Sequence, residues 1–211
     1  MKQTTLLKNS NHGTAVIASA CLILLGPLTG HASNNDEQLW TVSSSGDLQA
    51  LTVLVKQNAE LVSAHDRYGK LPLHYAAEAG QIVIVKFLLA NGANIMERDN
   101  RGWTALHHAA NSNHAEMMKL LVANGAEVDA LNTMNWTPLH LAALKKDKTM
   151  VIALINAGAD VYAKTSRGLT PYNLAVDSGK CDIADHLVAS MVNRGQQAQP
   201  SILAIAQTTK K

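Results

Sequence analysis

The segment DNRGWTALHHAANSN at residues 99–113 decides the fold, because related segments precede and follow it at a constant distance. These segments begin at Asp66, Asp99, Asn132 and Thr165, and each begins 33 residues after the one before it. The second halves keep the same step, with VKFLLANGANI at 85–95, MKLLVANGAEV at 118–128 and VIALINAGADV at 151–161. A fixed period of this length indicates a stack of small structural repeats.

The first half of each unit predicts a short helix with a defined start. A threonine precedes three of these helices and can cap them by accepting from free backbone N–H groups. Proline occupies the first turn in three units, where its missing N–H costs no hydrogen bond. The cap residues are Thr104, Thr137 and Thr170, and the prolines are Pro72, Pro138 and Pro171.

The second half of each unit predicts another helix that ends at a glycine. Val85 and Leu88 in one unit, and Val151 and Leu154 in another, have the spacing of an apolar helix face. A residue with positive φ is expected just after such a helix. The glycines at this position are Gly92, Gly125 and Gly158.

The motifs LPLHYAA at 71–77, TALHHAA at 104–110 and TPLHLAA at 137–143 resemble those of ankyrin repeats. The turns NGAN, NGAE and AGAD that follow the second helices carry the same resemblance. It implies an all-α solenoid of about five helix-turn-helix units, which together bury one continuous core.

The resemblance sets the predicted organisation of the chain. The N-terminal unit lacks the TPLH motif, and the last full unit has Asn173 where the others have histidine, so both are expected to be capping repeats. The predicted segments are a signal peptide at 1–32, an N-terminal cap at 36–65, regular repeats at 66–98, 99–131 and 132–164, a C-terminal cap at 165–194 and a flexible tail at 195–211.

The N-terminus has the layout of a secretory signal. Lys2 and Lys8 precede about fifteen mostly apolar residues, and small residues follow, so cleavage after Ala32 is expected. The apolar run is short for a membrane span, which leaves an uncleaved anchor as the less favoured alternative. Lipidation at Cys21 is disfavoured because the apolar run continues beyond that residue.

Charge and cysteine content narrow the class of protein. The whole chain has a formal net charge of +2, too small to indicate nucleic acid or an anionic membrane as partner. Loss of the two signal-peptide lysines leaves 16 basic and 16 acidic residues. The mature chain would hold one cysteine, Cys181, and therefore no internal disulfide. Cys181 is expected to be a small buried apolar residue.

Histidines are the most conspicuous candidates for chemistry. The ankyrin resemblance implies that one histidine per unit lies in a buried structural ladder, bound to threonine hydroxyls and to backbone groups between units. His108 and His114 lie outside this column. Adjacent helical residues point about 100° apart, so His107 and His108 are poorly placed to share a metal ion, and we expect neither a metal site nor a cofactor. The ladder residues are His74, His107 and His140.

Two positions of the repeat, both near the loops between units, are occupied from unit to unit by residue types that are enriched at protein interfaces. The predicted protein-binding residues are Tyr68, Lys70, Arg101, Trp103, Met134, Trp136 and Arg167. The alternative is that the tryptophan rings only pack across the turns and shield the seams between units. Trp40, which has no TPLH context, is expected in the core.

No nucleophile–base pair, carboxylate pair or phosphate loop stands out, so we expect a protein-binding module and not an enzyme. With the export signal, the resemblance favours a periplasmic immunity protein that covers a type VI secretion lipase or phospholipase toxin. One alternative is a periplasmic ankyrin protein that supports catalase and peroxide resistance. Another is a metal-binding or redox accessory that uses His108, His114 and Cys181. The partner would be another protein, with no nucleic acid and no stable membrane span after cleavage, and the free chain would be monomeric.

Overall fold

The computed structural model describes residues 34–145 and 147–193, so the predicted signal peptide and tail lie outside the described residues. Within these ranges the chain forms ten α-helices, one 3₁₀ helix and no β-strand. The helices are α1 (Asn34–Ser45), α2 (Leu48–Gln57), α3 (Pro72–Glu78), α4 (Ile82–Ala90), α5 (Ala105–Asn111), α6 (Ala115–Ala123), α7 (Pro138–Ala143), α8 (Thr149–Asn156), α9 (Pro171–Asp177) and α10 (Cys181–Asn193), with the 3₁₀ helix at Ala59–Ser63 after α2. The predicted all-α solenoid is confirmed.

The helices stack in order along the chain. The first helix of each unit packs on the first helix of the next, so that α1, α3, α5, α7 and α9 form one row. The second helices pack behind them, with α2 against α4 and α6 against α8. Each unit therefore contacts mainly its neighbours, as in other repeat proteins.

The first helices begin where the cap residues predict. Thr104, Thr137 and Thr170 are the N-cap residues of α5, α7 and α9, and all three have an extended backbone. Leu71 takes this place before α3. In these four units the N–H of the cap residue donates to the side chain three positions later, with distances of 2.9–3.2 Å. The acceptors are Nδ1 of His74, His107 and His140, and Oδ1 of Asn173.

One apolar cluster runs through the described units from Leu39 to Met191. The paired alanines of the first helices are fully buried and allow neighbouring helices to approach closely. Leu88, Leu121 and Leu154, 33 residues apart on the second helices, are also fully buried. None of the described helices is long and apolar enough to cross a membrane.

Three details differ from the sequence-based expectations. The first helix of the N-terminal unit, Asn34–Ser45, begins two residues before the predicted start of the cap at residue 36. Trp40 is only partly buried, and its ring stacks on Tyr75 with centroids 5.6 Å apart. The expectation that Cys181 is buried was wrong, because this residue opens α10 and its thiol is free and exposed.

The tip turn at Gly102 should not tolerate a side chain. Gly102 has φ +73°, and an added Cβ would lie 2.9 Å from the backbone nitrogen of Thr133 in the next unit. Gly102→Ala should therefore lower the free energy of unfolding by more than the ~1 kcal/mol that positive φ alone costs alanine. Urea unfolding measures this loss. Gly125→Ala is the matched control, since its φ is +92° and no atom lies within 4 Å. Equal losses in the two variants would contradict the steric argument.

Candidate protein-binding surface

A single acceptor residue holds the backbone of each turn between units. The acceptors are Asp66, Asp99, Asn132 and Thr165, which stand 33 residues apart. Each takes hydrogen bonds from the N–H groups two and four residues later, at 2.8–3.3 Å. Neighbouring turns are also linked, since the N–H groups of Asn100, Thr133 and Ser166 donate to carbonyl oxygens of the preceding turn at 2.9–3.1 Å. The turns therefore present their side chains from a fixed backbone.

The predicted binding residues differ in how far they are exposed. Tyr68 and Met134 are 55% and 52% exposed, and the side chain of Arg101 is 59% exposed. Arg167 is exposed as well. Lys70 and Trp136 are partly buried, whereas Trp103 is 9% exposed. The outer rim of the predicted site is therefore formed by the tip residues, and the tryptophans lie beneath it.

Trp103 packs inside its own unit. Its ring lies 6.2 Å from that of His107 and 5.1 Å from that of His108, measured between centroids. The guanidinium of Arg101 covers it from the solvent side, 4.2 Å from the ring centre. This arrangement favours the packing alternative for Trp103, while the binding role of the tips stays a prediction.

A chain of polar contacts crosses from one unit to the next beneath the tips. The ammonium of Lys70 lies 2.5 Å from Glu78, whose other neighbour is Nδ1 of His108 at 3.6 Å. Nε2 of His108 lies 3.1 Å from Oδ2 of Asp99. His108 is the donor in this hydrogen bond, because an ionised carboxylate can only accept. Among the described residues, Nδ1 of His108 and Nε1 of Trp103 are buried without a hydrogen-bond partner.

This network shifts the pKa values of its members. Burial alone would raise the pKa of Asp99, but hydrogen bonds from His108 and from two backbone N–H groups lower it to about 2. Burial would also raise the pKa of Glu78, and the ammonium of Lys70 brings it below its ordinary value. Burial lowers the pKa of His108 despite the bond to Asp99. At neutral pH the network therefore holds two carboxylates, one ammonium and a neutral imidazole.

Sequence reasoning did not bring Glu78, Asp99 and His108 together in one network, although a signal for the last two was present. Tyr75 and His108 occupy the same repeat position, and each donates to the tip carboxylate nine residues before it, Asp66 or Asp99. In the next unit this position is a leucine and the acceptor is Asn132, whose buried Nδ2 has no partner among the described residues. A side-chain donor is thus present in the units whose tip acceptor is a carboxylate, and it is absent in the unit where the acceptor is Asn132.

Two of the three ladder histidines connect successive units, and the third, His74, bonds within its own unit. Nε2 of His107 donates to the carbonyl of Trp136, and Nε2 of His140 to that of Leu169, at 3.0 and 3.1 Å. Nε2 of His74 bonds instead to the carbonyl of Glu97 at 3.0 Å. The hydroxyls of Thr104 and Thr137 lie 2.9 Å from Nδ1 of the histidine in their own units. Burial lowers the pKa of His74 and of His107 to about 4, and it also lowers that of His140.

The histidines outside the ladder also have structural partners. Nε2 of His114 donates to the carbonyl of Glu78 in the preceding unit at 3.1 Å, and Gln81 makes the equivalent contact to Ser44 one unit earlier. Over residues 34–145 and 147–193, no three His, Cys, Asp or Glu side chains come together as metal ligands would.

Comparison with known families agrees with this architecture. A profile described as ankyrin repeats (3 copies) matches residues 95–165 and 131–199, and one described as ankyrin repeats (many copies) matches residues 54–109. The chain belongs to the ankyrin-repeat family. The ladder at His74, His107 and His140 and the capped first helices are therefore ankyrin features in this protein.

Two similar proteins cover only parts of this ankyrin-repeat chain. Palmitoyltransferase AKR1 of Gibberella zeae is 34% identical over 71 residues, which are 34% of this chain and 10% of that protein. Ankyrin repeat family A protein 2 of Mus musculus is 32% identical over 94 residues, which are 44% of this chain and 26% of that protein. This chain thus spans about a tenth and a quarter of the two relatives. The repeats make it a protein–protein interaction module.

Proposed function

We propose that this ankyrin-repeat protein binds one partner protein through its turn tips and acts without catalysis of its own. The observation that carries the proposal is the rim of exposed Tyr68, Arg101 and Met134 on turns whose backbone is fixed by internal hydrogen bonds. A backbone that is already fixed has little further conformational freedom to lose on binding. Tyrosine, methionine and arginine are also enriched at interfaces.

We further propose that the protein acts outside the inner membrane, in the periplasm, as an immunity protein that covers a lipase or phospholipase toxin. The support is the n, h, c layout of residues 1–32 and the size of the array. A standard interface buries about 800 Å² on each partner, which a row of several tips can supply. Fractionation of cells and N-terminal sequencing of the mature protein test the location, and an unprocessed cytosolic protein would contradict it.

Loss of two exposed tip side chains should weaken partner binding and leave the fold intact. The full chain with a C-terminal tag is used to capture partners, which mass spectrometry identifies. Tyr68→Ala combined with Met134→Ala should lower affinity for the captured partner at least about tenfold, because these side chains would be desolvated in the complex. Val83→Ala is the control, since Val83 is 58% exposed on a second helix.

The identity of the partner decides between the specific roles. A captured lipase whose activity the protein inhibits supports the immunity function, whereas a captured catalase supports the peroxide-resistance alternative. Unchanged affinity in the tip variant, with reduced affinity in the Val83 control, would place the binding surface elsewhere.

A further inference from the structure

The exposed charge at the turn tips has one sign. The four tips, at residues 67–69, 100–102, 133–135 and 166–168, contain three arginines and no acidic residue. All three arginines, Arg67, Arg101 and Arg167, are exposed. The acids beside the tips point inward, since Asp66 accepts from two backbone N–H groups and from the hydroxyl of Tyr75. The rim therefore offers hydrogen-bond donors to a partner.

A cleft lies between the tips of the units that begin at Asp66 and Asp99. Its volume is about 440 Å³, within the range of ligand sites, and it is lined by Tyr68, Lys70, Tyr75, Asp99, Asn100 and Arg101. The carboxylate of Asp99 adds little negative surface to the cleft, because its side chain is 2% exposed and its oxygens accept from His108 and two backbone N–H groups. The exposed Tyr68 and Arg101 form most of the accessible wall, whereas Lys70 is 14% exposed and its ammonium is paired with Glu78.

The two cations of the cleft are held in place by rings and carboxylates. The guanidinium of Arg101 lies over Trp103 and 3.8 Å from Oδ2 of Asp99, yet its side chain stays 59% exposed. A guanidinium stacked on a ring keeps its in-plane N–H groups available for a carboxylate. The ammonium of Lys70 lies 4.8 Å from the centre of the Tyr75 ring, on the same wall of the cleft.

We propose that this cleft binds a carboxylate side chain of an extended acidic segment in the partner, with Arg101 as the main ligand and Lys70 beside it. The segment continues along the tips, over the exposed Met134, to a second acid at Arg167. This inference rests on the proposed protein-binding function and names the chemistry of the partner.

The stacking of the units sets the spacing of the two acids. Packed helices stand about 8–10 Å apart, so Arg101 and Arg167, two units apart, are separated by roughly 20 Å. An extended chain advances about 3.3 Å per residue, which places the two acids about six positions apart. Apolar residues between them would face Met134.

A nucleic-acid backbone fits the surface less well than an acidic segment. Tight phosphate binding uses about six to ten cationic contacts, whereas the tips supply three arginines and the cleft one further lysine. The apolar Tyr68 and Met134 between the cations also favour a peptide with alternating acidic and apolar residues.

Binding of a fluorescein-labelled peptide of roughly ten residues tests the proposal. The peptide carries two glutamates six positions apart, with leucine, serine and threonine between them, and binding to the full chain is followed by fluorescence anisotropy at low and high salt. Affinity should fall about tenfold in Arg101→Gln and in Arg167→Gln, through loss of a charge-assisted hydrogen bond. Lys86→Gln, at an exposed position of α4, should bind as the unaltered chain does.

Further arms test whether the charge of the peptide and the shape of the guanidinium determine binding. A peptide with glutamine at both acidic positions should bind at least tenfold more weakly, and Arg101→Lys should fall between Arg101→Gln and the unaltered chain. Melting curves check that each variant is folded. The inference is overturned if the unaltered chain shows no binding to the acidic peptide at millimolar concentration, if the glutamine peptide binds equally well, or if a DNA oligonucleotide of equal charge binds more tightly. If the Arg101→Gln variant still captures the partner protein, this inference alone is rejected and the proposed function stands.

Discussion

Trp103→Ala should lower the free energy of unfolding by about 3–5 kcal/mol, the usual cost of removing a buried aromatic side chain. Trp103 is 9% exposed and belongs to the continuous core cluster. Its removal would leave a cavity beside His107 and His108 and would take away the ring on which Arg101 rests. Chemical denaturation followed by circular dichroism measures the loss.

Two variants make the comparison specific to burial. Trp136→Ala alters the same repeat position one unit later, where the ring is partly exposed, and should cost clearly less. Tyr68→Ala removes a ring that is 55% exposed and should change stability by under about 1 kcal/mol. If Trp103→Ala were as stable as Tyr68→Ala, the ring would have to be a surface group and its packing role would be refuted.

The fold could be predicted from the sequence because its determinants repeat. Thr104, Thr137 and Thr170 start helices at the predicted places, and Gly92, Gly125 and Gly158 all have positive φ. Asn135, which stands where three other units have a glycine, also has positive φ, at 56°. These features depend on neighbours within a few residues, and a sequence displays such neighbours directly.

The site was harder to predict because burial there depends on contacts between units. Trp103 and Trp136 share a repeat position, yet they differ in exposure. Arg101 and His108 enclose the first ring, whereas the equivalents of these residues one unit later are Met134 and Leu141. Cys181 shows the same limit, since its apolar character does not reveal that the first residue of α10 faces solvent.

Acid should destabilise the protein well before its carboxylates are protonated. Burial lowers the pKa of His74 and of His107 from 6.5 to about 4, and it also lowers those of His108 and His140. Between pH 6.5 and 4 the unfolded chain therefore binds more protons than the folded one. The stability that these neutral imidazoles contribute is complete above pH 6.5 and is lost as the pH falls towards 4.

The size of the loss follows from the two largest shifts. Each pH unit below 6.5 costs about 1.4 kcal/mol per histidine, so His74 and His107 together should lower the free energy of unfolding by roughly 5 kcal/mol between pH 7.5 and 4.5. Urea unfolding at a series of pH values measures this change. Stability that stays level over this range would show that the ladder histidines titrate as freely in the folded state as in the unfolded chain.

The last unit has Asn173 at the position of the ladder histidine, and this suggests a substitution that tests whether the ladder histidines cause the loss of stability in acid. Asn173 accepts from the N–H and the hydroxyl of Thr170 at 2.9 and 2.8 Å, which are the two contacts that Thr104 makes to His107. His107→Asn should therefore keep the helix cap and lose the bond to the carbonyl of Trp136, at a cost of about 1–2 kcal/mol at pH 7.5. Because it also removes one titrating group, its stability should approach that of the unaltered protein as the pH falls to 4.5. A constant difference between His107→Asn and the unaltered protein from pH 7.5 to 4.5 would mean that His107 contributes through its hydrogen bonds alone.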